Sequence, residues 1–218
     1  MQSDILFRCS SLGRLMTEPR SKSESLSETA KALCLEMFIE RKYKRRKKVE
    51  SKYMTKGIIN EEVAITSFNV HLIKQTGQFI ELVKNTERRK NDFITGEPDI
   101  CNPILADIKN CWDIFTFFDA KTKALNKDYF WQLQGYMWLF DFDTANLVYT
   151  LENTPNDIME REMRFKESSD ESDFIFDDIP AEERIHIINV ERDDACIEAL
   201  KEKVLLGREY IAKLLAMP

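Results

Sequence analysis

The chain has 218 residues, a formal net charge of −6, and 43% hydrophobic beside 32% charged residues. That is long enough for one domain with a sizeable core, and the proportions exclude disordered, collagenous and disulfide-stapled classes. No apolar run approaches the roughly 20 residues of a membrane span and MQSDILFRCSS has no signal-peptide pattern, so a cytoplasmic chain with no membrane partner is expected.

The predicted elements follow in chain order. Ser27 opens a helix through SLSETAKALCLEMFIERKYKRR, with Ala30, Leu33, Cys34, Met37 and Phe38 at helical spacing. A second helix runs from Ser51 to about Lys74, through Tyr53, Ile58, Ile59, Val63, Ala64 and Phe68. FIELVKN (Phe79–Asn85) and NDFITG (Asn91–Gly96) read as a hairpin around TERRK, and ILADIKN as a third strand. KDYFWQLQGYMWLFDF is predicted helical, NLVYTLE a strand, and PNDIMEREMRFK a helix begun by proline. ESSDESDFIFDD is expected to be an acidic loop, about 167–180. RIHIINVE reads as a strand, and the segment from Asp193 as a closing amphipathic helix. The order predicts one α/β domain over residues 1–218, a mixed central β-sheet flanked by helices.

Charge is unevenly spread. Residues 1–60 carry 14 basic and 7 acidic side chains, and residues 151–218 carry 9 and 18. The basic excess gathers in RKYKRRKK (Arg41–Lys48), followed by Lys52 and Lys56. Such a run alone reads as a solvated helix end; its functional reading is contact with a phosphate backbone. An acidic whole does not exclude that, because a local patch governs encounter. The five cysteines are odd in number and form no CxxC pair, and there are two histidines. Free thiols are expected, and no zinc or iron–sulfur site.

The stretch TGEPDICNPILADIKN (Thr95–Asn110) carries the chemistry. Strand alternation places Leu105, Asp107 and Lys109 on one face and Ile104, Ala106 and Ile108 on the other. A carboxylate and an ammonium in an apolar strand are costly to bury unpaired. Asp99, eight residues upstream, supplies a second carboxylate. The plain reading is a structural Asp–Lys pair at a strand end. The functional one is a hard divalent ion held by Asp99, Asp107 and the Ile108 carbonyl, with Lys109 facing the phosphate charge that develops.

PD followed by DIK resembles the signature of PD-(D/E)XK nucleases, and further stretches make the chain similar to the phage lambda exonuclease/YqaJ type. KGIINEEVA (Lys56–Ala64) resembles that family's helix with Gly, three residues, then Glu, which implies Glu61 as third acidic ligand, with Glu62 adjacent. WQLQGYMWLF (Trp131–Phe140) resembles its Gln-x-Gln helix and implies Gln132, Gln134 and Tyr136 near the site. RCSSLGRLM (Arg8–Met16) resembles its phosphate-binding serine segment, with Ser10 in the serine's place and Arg8 in that of an arginine that the family carries earlier. IINVERDDACIEALKEKV resembles its closing strand and helix. Asp107 stands where lambda-type enzymes usually have Glu.

The resemblance implies a Mg²⁺-dependent exodeoxyribonuclease, with Mn²⁺ as substitute, acting on the 5′-ended strand of duplex DNA in phage-type recombination. Catalysis falls to Glu61, Asp99, Asp107, Lys109, Gln132 and Gln134, and metal binding to Glu61, Asp99, Asp107 and Ile108. DNA contact falls to Arg8, Ser10, Arg41, Lys44, Arg45, Arg46, Lys47, Lys48 and Tyr136. It also implies a single-strand annealing protein as partner and a ring-shaped trimer. The alternatives are a restriction-like or CRISPR-associated endonuclease of the same superfamily, and a catalytically dead DNA-binding protein.

Overall fold

The computed structural model describes residues 5–48, 50–165 and 170–216. Its first half holds β1 (Phe7–Arg8), α1 (Leu12–Leu15), α2 (Glu28–Tyr43), α3 (Lys52–Thr76), β2 (Arg89–Lys90), β3 (Ile94–Gly96) and β4 (Ala106–Asn110). Its second holds α4 (Ile114–Thr122), α5 (Lys127–Phe140), β5 (Thr144–Thr150), α6 (Asn156–Phe165), β6 (Ile185–Glu191) and α7 (Asp194–Leu215).

The architecture is the predicted mixed α/β one, with its strands divided into two three-stranded sheets, β1-β3-β2 and β4-β5-β6. β1 runs parallel and β2 antiparallel to β3; β4 runs parallel and β6 antiparallel to β5. One cluster of buried side chains, including Phe7, Leu12, Cys34, Ile94, Leu133, Leu147 and Leu200, runs through both sheets and the helices between them. A smaller cluster around Ile65, Phe68, Ile100 and Val148 lies beneath α3. The Leu105 face of β4 packs into the first cluster and the Ala106 and Ile108 face into the second, the alternation read from the sequence.

Side-chain caps place the two long N-terminal helices where the sequence puts them. Ser27 Oγ accepts the Ala30 amide at 3.0 Å and Ser51 Oγ the Met54 amide at 3.2 Å, each worth about 1 kcal/mol. At the other end of α2, Lys44 adopts φ 54°, which stops the helix. Only Arg41, Lys42 and Tyr43 of the basic run are therefore helical; the rest of it is an exposed, irregular segment.

Three expectations are corrected. FIELVKN is not a strand: the Asn69 side chain of α3 accepts the Leu82 amide and donates to the Leu82 carbonyl, both at 2.8 Å. With those backbone groups satisfied by one carboxamide, no strand partner is needed, and the hairpin shrinks to β2 and β3. The apolar face of α3 also differs. Tyr53, Ile58, Ile59 and Val63 are exposed, and the buried positions are Lys56, Asn60, Ala64, Ile65 and Phe68. Lys56 is fully buried, so it does not extend the basic surface; its Nζ donates to the Trp112 carbonyl at 2.9 Å. Burial lowers its pKa to about 8.

Third, the acidic stretch is anchored. Of it, residues 167–169 lie outside the described residues, but Phe174 and Phe176 are buried. The Phe174 carbonyl accepts the Thr154 amide at 2.8 Å, and the Phe176 amide donates to Asn153 Oδ1 at 2.8 Å. Acidic neighbours in the sequence hid two core aromatics.

Candidate active site

β4 is the edge strand of its sheet, and its free edge is where the two aspartates meet. Ala106 exchanges both backbone bonds with Ile100 across that edge, at 3.0 and 3.1 Å. Two residues on, the Ile108 amide faces the same way and donates to Asp99 Oδ2 at 2.6 Å. The N–H and C=O of one strand residue point to the same side, so the Ile108 carbonyl also faces the Asp99 edge, as the sequence reading requires. A hydrogen bond to a charged group contributes about 1.5–3 kcal/mol, so Asp99 is held against β4 rather than left to swing.

Asp107 is buried, with an exposure of 2%. Its Oδ1 accepts Gln132 Nε2 at 3.0 Å; its Oδ2 is ion-paired with Lys109 and has no hydrogen-bond partner otherwise. Burial and then the Asp107 charge push the Asp99 carboxyl up to about 7, against the pull of Lys109 and the Ile108 amide. Burial works against the Lys109 ammonium, but the Asp107 and Asp99 charges outweigh it and its pKa is raised. The ammonium also lies 5.0 Å from the centre of the Tyr129 ring, a cation–π contact.

Helix α5 delivers Gln132 because it is packed against β3 without a gap. A Cβ on Gly135 would stand 2.9 Å from Cys9 Sγ, and one on Gly96 2.8 Å from Tyr136 Cε1. Larger residues there would lift the helix and carry Gln132 away from Asp107. Tyr136, one turn beyond Gln132, accepts from its Nε2 at 3.0 Å. At 5% exposure Tyr136 has no surface to offer DNA; it steadies Gln132 from behind, a correction to its expected DNA contact. Gln134, two residues along, cannot share the face of Gln132. It donates to the Glu191 carbonyl and accepts the Asp193 amide, at 2.8 and 2.9 Å. The structure thus does not bring Gln134 to the carboxylates; it joins α5 to the start of α7.

Glu61 lies on α3 across from this edge. Its charge, and not that of Glu62, acts on Asp99, which favours Glu61 as the residue facing the site. Its Oε2 is held by Lys84 Nζ at 2.7 Å. Among the described residues, no three His, Cys, Asp or Glu side chains are gathered closely enough to hold an ion. The donors nevertheless suit Mg²⁺ in kind: the buried Asp107 and the half-buried Asp99, whose repulsion helps to raise one pKa, and a backbone carbonyl on the same edge.

A cavity of about 930 Å³ is lined by Arg8, Ser10, Arg14, Arg41, Lys44 and Lys47, together with Arg46, Lys48 and, from α3, Met54. Arg45 of the expected DNA-contact set does not line it. Arg8 makes a two-pronged pair with Glu40, at 2.8 and 3.0 Å, and Arg14 one with Glu36, at 2.8 and 3.1 Å. Ser10 is exposed. Arg14, Lys84 and Tyr129 were not singled out by sequence reasoning for the catalytic site. Tyr129 was the most findable, three residues before Gln132 and so on the same helix face; Lys84 was hidden in the misread strand.

No family model and no curated protein matches this sequence. Solved structures do. The phage-related exonuclease from Haemophilus somnus 129PT is 33% identical, over 97% of this chain and 96% of its own, with a TM-score of 0.81. The alkaline exonuclease LHK-Exo from Laribacter hongkongensis is 16% identical, over 95% of this chain and 88% of its own, at a TM-score of 0.61. The structure of LHK-Exo in complex with dAMP is 18% identical, over 97% of this chain and 88% of its own, also at 0.61. These last two show the shared fold. With one residue in three identical along almost the whole of both chains, and the PD…DIK edge folded as described, this chain belongs to the phage-related exonucleases, DNA-hydrolysing enzymes of the lambda exonuclease type within the PD-(D/E)XK nucleases.

Proposed function

We propose that this exonuclease is Mg²⁺-dependent and degrades the 5′-ended strand of duplex DNA in phage-type recombination. The observation that carries the reading is the β4 edge, where Asp99 is fixed by the Ile108 amide and Asp107 lies between Lys109 and Gln132. When bound, the ion would offset the repulsion of the carboxylates and polarise the phosphate and the attacking water. Asp99, Asp107, the Ile108 carbonyl and Glu61 would hold it. Lys109 would offer its ammonium to the non-bridging phosphate oxygens, where charge grows in the transition state. Gln132 keeps Asp107 in its rotamer. Arg8, Arg14, Ser10 and the cavity lysines take the DNA backbone, exchanging Glu36 and Glu40 for phosphate.

An exonuclease releases mononucleotides, and the LHK-Exo fold has been solved with dAMP, which supports this reading. Under it the enzyme works as a ring-shaped trimer beside a single-strand annealing protein in the cytoplasm of an infected cell. The test is cleavage of linear 5′-phosphorylated duplex, end-blocked duplex and closed circular duplex, each with Mg²⁺, Mn²⁺ or chelator. Mononucleotide release from the free 5′ end alone, abolished by chelator, is expected. Cutting of the circle would replace the reading with an endonuclease.

A further inference from the structure

The face of α3 that packs the core changes character along its length. Gly57, Glu61, Ala64 and Phe68 share one side of the helix, by their spacing of three and four residues. Ala64 and Phe68 are buried against the sheet. Toward the N-terminus the buried side turns to Lys56 and Asn60, and beside them a Cβ on Gly57 would find no atom of the described residues within 4 Å. Glycine is the poorest ordinary residue for a helix interior, and no neighbour in the protein requires one here. What it leaves is a gap one helical turn from Glu61.

Two features border that gap. On one side Met54 belongs to the lining of the basic cavity. On the other, Tyr53 is 56% exposed, and its ring meets that of Trp112 edge to face at 5.1 Å. Trp112 follows the end of β4 by two residues, so the aromatic pair stands at the C-terminal end of the strand that carries Asp107 and Lys109. Lys52 Nζ lies over both rings, 4.8 Å from that of Trp112 and 5.5 Å from that of Tyr53. Trp112 is itself braced edge-on by Phe174, with 6.2 Å between ring centres. An exposed ring packed edge to face on a braced neighbour, with the Glu162-paired Lys52 ammonium at the pair and open space beside it, is an arrangement that can stack a nucleobase.

Resting on the nuclease reading above, we propose that Tyr53, Gly57 and Trp112 form a subsite for one base of the DNA strand adjoining the scissile phosphate. Gly57 admits the strand between the basic cavity and the carboxylates, and Tyr53, backed by Trp112, stacks its base. Stacking is tolerant of base identity, as an enzyme that digests any sequence needs.

The test uses the full chain, with binding to 5′-phosphorylated duplex measured in Ca²⁺ and cleavage in Mg²⁺. Gly57→Ala and Gly57→Leu fill the gap at a site where the protein loses nothing, so their thermal midpoints should equal or exceed that of the wild type. Their DNA affinity should fall, by roughly tenfold or more for leucine. Tyr53→Ala should lose about tenfold on intact DNA. Among duplexes lacking one of the first three bases of the 5′-ended strand, one should bind wild type and Tyr53→Ala alike. Undiminished binding by a folded Gly57→Leu overturns the subsite, as does a Tyr53→Ala loss that is equal on every abasic duplex. A wild type that cleaves no DNA in Mg²⁺ overturns the nuclease reading itself, and the subsite with it.

Discussion

Lys84 Nζ lies 2.7 Å from Glu61 Oε2, so the carboxylate that α3 offers to the catalytic edge is already paired. The pair is about half-exposed on the lysine side, and exposed pairs of this kind contribute about 0–1 kcal/mol, little enough for a divalent ion to break. Lys84→Met should therefore leave the fold unchanged and tighten Mg²⁺ binding severalfold, measured by calorimetry. Glu61→Gln should weaken Mg²⁺ binding and activity, and Glu62→Gln should do neither. A sensitive Glu62 with an insensitive Glu61 would reverse the register read from Gly57.

The aspartates supply the second prediction, through pH. With its carboxyl raised from 3.8 to about 7 by burial and Asp107, folded Asp99 keeps a proton across that window that the unfolded chain has released. Stability of the metal-free protein from this group therefore falls as pH rises from about 4 to 7, and is flat above. Asp99→Asn should remove that slope and raise the metal-free thermal midpoint at pH 8, while abolishing cleavage. Mg²⁺ should raise the wild-type midpoint more at pH 8 than at pH 6, because a ligand carboxylate must first lose its proton. A pH-independent Mg²⁺ shift would remove Asp99 from the ligand set.

Lys109 and Gln132 both touch Asp107 but should fail differently. Lys109→Ala should preserve Mg²⁺ binding and lower kcat by orders of magnitude, as for a group acting on transition-state charge. Gln132→Leu removes the donor to a buried carboxylate oxygen, at a cost of about 1–3 kcal/mol. It should lower both stability and metal affinity. Equal losses of metal binding in the two variants would make Lys109 a structural partner of Asp107 and nothing more.

The basic segment is testable by salt. Replacing Arg46, Lys47 and Lys48 with Gln should weaken binding to all DNA sequences alike in Ca²⁺. The slope of log affinity against log salt should become shallower by about 0.9 for each phosphate no longer neutralised. Arg45→Gln, outside the cavity, should change the slope least. An unchanged slope in the triple variant would leave the segment as solvated charge and move the DNA path to Arg8 and Arg14.

Legibility in the sequence followed the range of the interactions. Ser27, Ser51, Pro155 and the DIK alternation act within a few residues, so the helices those residues open, β4 and the Asp107–Lys109 pairing could be read from local pattern, whereas α4 was not read. The strand at FIELVKN was misread because one distant carboxamide, Asn69, replaces a sheet partner that the pattern presumes. The face of α3 was misread because Lys56 and Asn60 are buried by long-range bonds to the Trp112 and Asn153 carbonyls, which no periodicity of apolar residues can announce. Gln134 went astray for a simpler reason: a Gln-x-Gln motif on a helix faces two ways.

Phe174 and Phe176 give the acidic segment a further meaning. A charged loop that wandered would spread its negative potential thinly over the volume it sampled. Anchored by two buried rings, with Phe174 against Trp112, the segment instead holds Asp177 in place on the Asn153 side chain. Fixed charges shape a field at a definite border. On the proposed function, a DNA strand reaching Trp112 would meet that fixed negative border, and would be confined as much by where the molecule repels phosphate as by where it holds it.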